Sequence, residues 1–307
     1  MAEVQQKEMM CAPRAQLEWG FGGRRKIRDG ALLVALFIGG IGAGQFVVSS
    51  WLLYPFGAVV GLIFVAVGKS AAHLVYLGRP ARFLRLFMKP KTSWISRGLI
   101  AMMVLVVFGA AYLAPYLAPM VGINWTLWTL TDAVGRSLFG VAMVAAFIVM
   151  IYDGFVLNSC KSISSWHTML LPVMFFFYSV AGGVAMSTLM TTLFGGLSTE
   201  LIITLDTFLL SAMLALVAFY IMNLYSSDLT GRESLRRLMM GRTAVFFIGL
   251  ALIVGLLVPI VLTLMHQFEG FGALATSLLA ISALLELAGD LSVRHSILKA
   301  GLHAPVM

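Results

Sequence analysis

Two apolar runs of the chain are joined by the stretch His73-Leu-Val-Tyr-Leu-Gly-Arg-Pro-Ala-Arg-Phe-Leu-Arg-Leu-Phe-Met-Lys-Pro-Lys-Thr-Ser-Trp-Ile-Ser-Arg-Gly98. This stretch contains six lysines and arginines, and Pro80 and Pro90 prevent it from continuing as one helix. Trp94 stands where the second apolar run begins, which is the depth that an amphipathic aromatic ring prefers in a membrane. The pattern therefore predicts a basic connection between two transmembrane helices.

Composition extends this interpretation to the whole chain. Hydrophobic residues make up 60% of the sequence and charged residues only 11%, whereas about a quarter of the residues of soluble proteins are charged. The two cysteines, Cys11 and Cys160, form neither a disulfide framework nor a CxxC metal site. We therefore expect a polytopic membrane protein, with any iron–sulfur or molybdenum chemistry on another chain.

The apolar runs predict an all-α fold with eight transmembrane helices arranged as two four-helix bundles. Each run is long enough to cross a hydrocarbon core of ~30 Å. The predicted organisation is a polar basic arm (1–30), a first set of four helices (31–157), a second set of four (158–301) and a C-terminal tail (302–307). The predicted helices cover residues 31–53, 56–77, 98–118, 137–155, 168–190, 201–224, 243–265 and 272–290.

The basic residues predict the orientation in the membrane. Of the 21 lysines and arginines, all but Lys69 and Arg136 then fall on the side that bears both termini; we call this side the terminus face and the opposite side the far face. Positive charge accumulates on cytoplasmic loops, so we expect cytoplasmic termini and an inner-membrane location. The net charge of +8 is then explained by orientation and membrane lipid, without nucleic-acid binding.

The first predicted helix contains the glycine-rich run Gly39-Gly40-Ile41-Gly42-Ala43-Gly44. A dinucleotide site requires a preceding strand, and here the surroundings are apolar. The run instead predicts a face of small residues on which another helix packs closely within the membrane.

Two stretches of the chain resemble the NrfD/PsrC family, the polysulfide reductase membrane subunits. The first contains His73, Leu77-Gly-Arg-Pro80 and Ser93–Gly98; the second reads Tyr152-Asp-Gly-Phe-Val-Leu157 and is followed by Trp166 and Leu171-Pro172. The resemblance implies a quinone-binding subunit, not catalytic alone, that exchanges electrons between the quinone pool and an iron–sulfur partner. Through that partner it would serve a catalytic subunit, expected to hold molybdopterin. It implies menaquinone or ubiquinone, with no haem or metal in this chain.

The resemblance also indicates where the quinone and the partner would bind. In the family, the tyrosine corresponding to Tyr152 is associated with the quinone head group, and the iron–sulfur partner docks on the terminus face. Antiparallel threading brings polar residues from several helices to that face, and a quinone needs hydrogen-bond partners and proton-exchanging groups. The expected quinone contacts are His73, Tyr152, Asp153, Trp166 and Arg79. The expected partner contacts are Arg82, Arg85 and Trp94.

Two other classes of function stay open. A haem b subunit needs paired axial histidines on facing helices, and only His73 lies clearly within a predicted helix. A secondary transporter or ion-translocating subunit is suggested by Asp206 and Asp132 toward the far face, but the ionisable residues are expected at the two interfaces rather than at mid-membrane. The candidates for a proton path are Asp206, Glu200, Glu286 and Asp290.

Overall fold

The structure is a computed structural model that describes residues 24–77, 87, 89–125, 127–197, 199–267 and 272–303. Helices account for nearly all of these residues. The helices are α1 (Arg24–Trp51), α2 (Pro55–Leu77), α3 (Trp94–Leu117), α4 (Ala133–Asn158), α5 (Leu170–Phe194), α6 (Thr199–Ser226), α7 (Leu229–Met239), α8 (residues 241–267) and α9 (Gly272–Ala300). Both α2 and α8 contain π-helical segments, Phe64–Lys69 and Val245–Leu257. The predicted all-α fold is confirmed.

Seven of the described helices, α1 to α6 and α8, are long and apolar enough to cross a membrane. These correspond to the first seven predicted spans. The ninth helix, α9, has 29 residues, but it carries Glu286, Asp290, Arg294 and Lys299. The eighth span therefore stays a prediction.

Three differences from the predicted spans change the surroundings of individual residues. α9 continues to Ala300 rather than ending at residue 290, so Arg294 lies inside a helix and is buried. It therefore does not belong to the exposed charges that orient the chain. α3 begins at Trp94, because the Ser93 hydroxyl accepts a hydrogen bond from the Ser96 N–H at 3.4 Å and caps the helix. The expected loop after the sixth span contains the short helix α7.

Two clusters of buried apolar side chains make up the described core. One is formed by α1 to α4, with Phe46 and Leu105 at its centre. The other is formed mainly by α5 to α9, with Leu210 and Phe247 fully buried. The clusters are compatible with two helical bundles, although the predicted division at residue 157 and the four-helix arrangement stay predictions.

α1 joins the two clusters by crossing α5 at glycines. A Cβ atom added to Gly44 would overlap the α5 backbone at Ser179, and one added to Gly183 would overlap the α1 backbone at Gly44. The backbones can approach this closely only because neither residue has a side chain. The predicted small-residue face of the first helix is thus confirmed, and it brings the polar residues of the two halves close together.

Candidate functional site

His73 on α2 and Tyr152 on α4 are neighbours in the structure. The Tyr152 hydroxyl lies 3.4 Å from His73 Nε2 and 3.9 Å from Met102 Sδ. Tyr152 is buried and its ring packs against Gly98 of α3, where a Cβ would overlap it. The pair therefore presents an imidazole and a phenolic hydroxyl side by side.

A buried ion pair stands directly behind this histidine and tyrosine. Lys69 Nζ donates to Asp153 Oδ2 at 2.6 Å, and the two side chains are 0% and 4% exposed. Lys69 Nζ also lies 4.6 Å from the centroid of the Tyr152 ring. Gly39 of α1 provides the space for the lysine, because a Cβ there would overlap its side chain. The side chains of Lys69, Asp153, Tyr152 and His73 thus form one contiguous cluster.

The role of Lys69 was not predicted. The sequence favours a lysine that snorkels to the interface over a functional group, and the structure excludes snorkelling because the side chain is fully buried. A signal was present: Lys69 and His73 are four residues apart on an apolar helix and so share one face. A lysine inside a membrane segment is expected to have a partner. Nothing in the sequence identified Asp153 as that partner.

A second buried ion pair lies on the other side of α1. Arg294 Nε donates to Asp290 Oδ1 at 2.7 Å, and both side chains are at most 3% exposed. Arg294 Nη1 also donates to the Leu36 carbonyl at 3.1 Å, and its guanidinium lies 4.6 Å from the Phe175 ring centroid. A Cβ on Gly40 would overlap this guanidinium. Two consecutive glycines of α1 therefore accommodate two buried cations.

The carboxyl groups of Asp206 on α6 and Glu286 on α9 meet inside the protein. They lie close enough to interact directly, and each residue is only 5% exposed. Ser282 Oγ donates to Glu286 Oε1 at 3.1 Å. The expectation that the ionisable residues lie near the two membrane interfaces stays a prediction, but these two face the interior of the protein. Because α9 continues to Ala300, Glu286 lies near its middle, within reach of Asp206.

Other predicted site residues are not part of these clusters. Trp166 is buried in the second apolar cluster, where its indole N–H donates to the Ile297 carbonyl at 2.9 Å. Glu200 is exposed in the first turn of α6. Asp132 caps α4: hydrogen bonds from the Gly135 and Thr129 N–H groups hold the pKa of this carboxyl below its usual value. The predicted contacts Arg79, Arg82 and Arg85 lie outside the described residues.

Trp94 marks one end of an apolar groove between α3 and α4. Its ring stacks on Phe155 with centroids 4.2 Å apart, and the Arg97 guanidinium lies 4.5 Å from the Trp94 ring centroid. The groove has a volume of about 730 Å³. Its apolar lining includes Ala101 and Val144. It thus offers an apolar surface on the same two helices that carry Met102 and Tyr152.

Among the described residues, no group of three or more histidine, cysteine, aspartate or glutamate side chains is arranged to hold a metal ion. No curated protein is similar enough to the chain to be named as a relative. The family model described as "Polysulphide reductase, NrfD" matches residues 29–305. This match covers most of the sequence and includes every residue of the clusters described above, so the chain belongs to the polysulphide reductase NrfD family of polytopic membrane proteins.

Proposed function

We propose that the chain is the quinone-binding membrane subunit of an oxidoreductase complex, with the quinone head group bound beside His73 and Tyr152. The observation that carries this proposal is the His73–Tyr152 pair, in which an imidazole of α2 and a phenolic hydroxyl of α4 lie 3.4 Å apart. A histidine nitrogen and a phenolic hydroxyl are suitable hydrogen-bond partners for a carbonyl oxygen. Family membership supports a quinone-interacting role in general, and the site is our assignment.

The Lys69–Asp153 pair would position this site and set its electrostatics. A quinone takes up two electrons and two protons when it is reduced and releases them when it is oxidised. Lys69 contributes a positive charge next to the Tyr152 ring, and Asp153 fixes the ammonium group in place. Charges held in a dry, preorganised site act more strongly than the same charges in water.

The electron partner is proposed to be an iron–sulfur subunit that docks on the terminus face and connects this chain to a catalytic subunit, expected to hold molybdopterin. The charge pattern supports a cytoplasmic terminus face and an inner-membrane location, with the partner on the cytoplasmic side. Trp94 lies at the start of α3, next to Arg97. These two side chains lie at the same end of the protein as His73 and are candidates for contact with the partner. The quinone is proposed to be menaquinone or ubiquinone.

Photoaffinity labelling tests the binding site directly. A photoreactive quinone analogue added to the purified chain in lipid nanodiscs should label the α2 segment near His73 or the α4 segment near Tyr152, as read by mass spectrometry. An excess of unlabelled quinone should prevent this labelling. Labelling confined to α6, α8 or α9, or labelling that unmodified quinone does not reduce, would contradict the proposed site.

The basic connection gives a separate prediction about the partner. Replacing Arg82 and Arg85 by glutamate should release the iron–sulfur partner from the membrane, because the substitution changes the local charge by about four units and an acidic partner surface would be repelled. Co-purification with a tagged membrane subunit measures the loss. Charge reversal of Arg136 near the far face is the matched control and should leave the complex intact. A stoichiometric complex in the Arg82/Arg85 variant would contradict the docking proposal.

A further inference from the structure

The Asp206–Glu286 pair has no role in binding a quinone at His73 and Tyr152. Both carboxyl groups are buried inside the protein and lie close enough to interact directly. Among the described residues, neither carboxyl is ion-paired with a lysine or arginine. Two neighbouring negative charges without a cation would repel strongly in these surroundings, so we expect one carboxyl to keep its proton and donate it to the other. The pair is therefore built to hold a proton.

Unpaired polar atoms continue from this pair along one face of α9. Asp206 Oδ1, Glu286 Oε2, Asp290 Oδ2 and Arg294 Nη2 are all buried without a hydrogen-bond partner among the described residues. Residues 286, 290 and 294 follow one another at intervals of four, so each is about 6 Å from the next along the helix. Buried polar atoms in such a row are typical binding places for internal water.

The row reaches the proposed quinone site across the glycines of α1. Arg294 lies against Gly40 and Lys69 lies against the adjacent Gly39. Lys69 is paired with Asp153 and approaches the ring of Tyr152. Tyr152 in turn contacts His73. Polar side chains thus form a series from Asp206 of α6 and Glu286 of α9 to His73, near the end of α2 at the terminus face.

We propose that Asp206 and Glu286 form a proton-holding pair on a hydrated route that connects the far face with the quinone site. Asp206 lies seven residues from the start of α6, about 10 Å into the membrane from the far face. The route passes Asp290–Arg294 and Lys69–Asp153. The arginine stays charged and orders water, while the carboxylates and water transfer the proton.

The last step of this route rests on the proposed quinone function. When the quinone is reduced, the iron–sulfur partner supplies two electrons and the route supplies two protons drawn from the far face. When the quinone is oxidised, both move in the opposite direction. The carboxyl pair itself is left unchanged after each turnover, because every proton that leaves it toward the quinone is replaced by another from the far face.

A carboxyl-directed reagent tests the proton-holding pair without any quinone. Dicyclohexylcarbodiimide reacts with protonated carboxyl groups in apolar surroundings. With the purified chain in nanodiscs, we expect an adduct on the peptide that contains Asp206 or Glu286, and no adduct on Glu233, which is exposed and ion-paired with Arg236. The double substitution Asp206→Asn and Glu286→Gln should abolish the adduct. No adduct on either peptide of the unchanged chain would overturn the proposal.

Proton uptake by the whole complex in proteoliposomes tests the route. Asp206→Asn and Glu286→Gln should each lower the rate of quinone-linked proton uptake from the far face by about 100-fold or more, which is the range for a lost proton-transfer group. Electron transfer from the partner to a soluble dye should be retained. Asp206→Glu should restore most of the uptake, and Glu200→Gln, at the exposed start of α6, should have no effect.

Two results would overturn the route, and both are distinct from failure of the quinone site. Uptake that is unchanged in both carboxyl variants shows that protons enter elsewhere. The second result is a loss of proton uptake that Asp206→Glu does not restore and that is accompanied by a loss of dye-linked electron transfer. This result shows that the two residues only support folding or assembly. If the unchanged complex does not react with quinone at all, the quinone assignment fails, while the carbodiimide experiment still decides whether the pair holds a proton.

Discussion

Replacing Asp153 by asparagine should lower the free energy of unfolding by about 3–5 kcal/mol, because it leaves Lys69 charged, fully buried and without its carboxylate. The side chain cannot relax toward water, since Lys69 is surrounded by α1, α2 and α4 and lies against Gly39 and the Tyr152 ring. Thermal and denaturant unfolding in detergent micelles, followed by tryptophan fluorescence, measures the loss.

Two variants test whether the loss of stability comes from the buried charge of Lys69 or from a general sensitivity of the site to substitution. The double substitution Lys69→Met and Asp153→Leu removes both charges and should recover most of the lost stability, because apolar groups of similar size can replace a buried ion pair at little cost. Glu233→Gln makes the same carboxylate-to-amide change in an exposed ion pair and should leave stability almost unchanged. An Asp153→Asn protein as stable as the unchanged chain would contradict the importance of the pair.

The substitution His73→Ala should lower quinone-coupled turnover by about 100-fold or more, which is the range for the loss of a proton-transferring group. Electron transfer from the partner to a soluble dye should continue, because the dye takes electrons before they reach the membrane site. The ratio of quinone-coupled to dye-coupled turnover is the measurement. It separates loss of the quinone site from loss of the partner, since a released partner would leave dye activity in the soluble fraction.

Tyr152→Phe should reduce the same ratio by less than His73→Ala does. The substitution removes one hydroxyl, which contacts His73 and Met102, and a ring of the same shape still fills the space against Gly98. Tyr112→Phe is the matched control, because Tyr112 is a buried tyrosine of the same apolar cluster on α3. Full quinone-coupled turnover in both the His73 and the Tyr152 variant would place the quinone elsewhere.

The buried carboxyl pair also changes the comparison with transporters. The sequence placed its ionisable residues at the two interfaces, which argued against translocation of ions. The structure instead has Asp206 and Glu286 together inside the helices. A proton route is therefore compatible with a quinone-binding subunit, and it needs no separate transported substrate. The burial of these carboxyl groups makes them functional candidates, because ionisable groups are costly in apolar surroundings.

The sequence by itself determined the membrane class, the positions of seven spans and the resemblance to the family. Long apolar runs are sufficient for this, since a helix is the way in which a single segment satisfies its backbone hydrogen bonds in lipid. The sequence also placed His73 and Tyr152 at similar depth, because the second and fourth spans run in the same direction. Their contact confirms that both belong to one region of the structure.

Only the tertiary structure decided which buried charges are paired. Hydropathy defines depth but not the lateral arrangement of helices, because lipid tails are as apolar as the side chains of a packed interface. The pairing of Lys69 with Asp153 depends on the space beside Gly39, and the approach of Glu286 to Asp206 depends on an α9 that is longer than predicted. Trp166 likewise donates its indole N–H to α9. Such contacts join residues far apart in the chain, so their partners follow from packing rather than from sequence spacing.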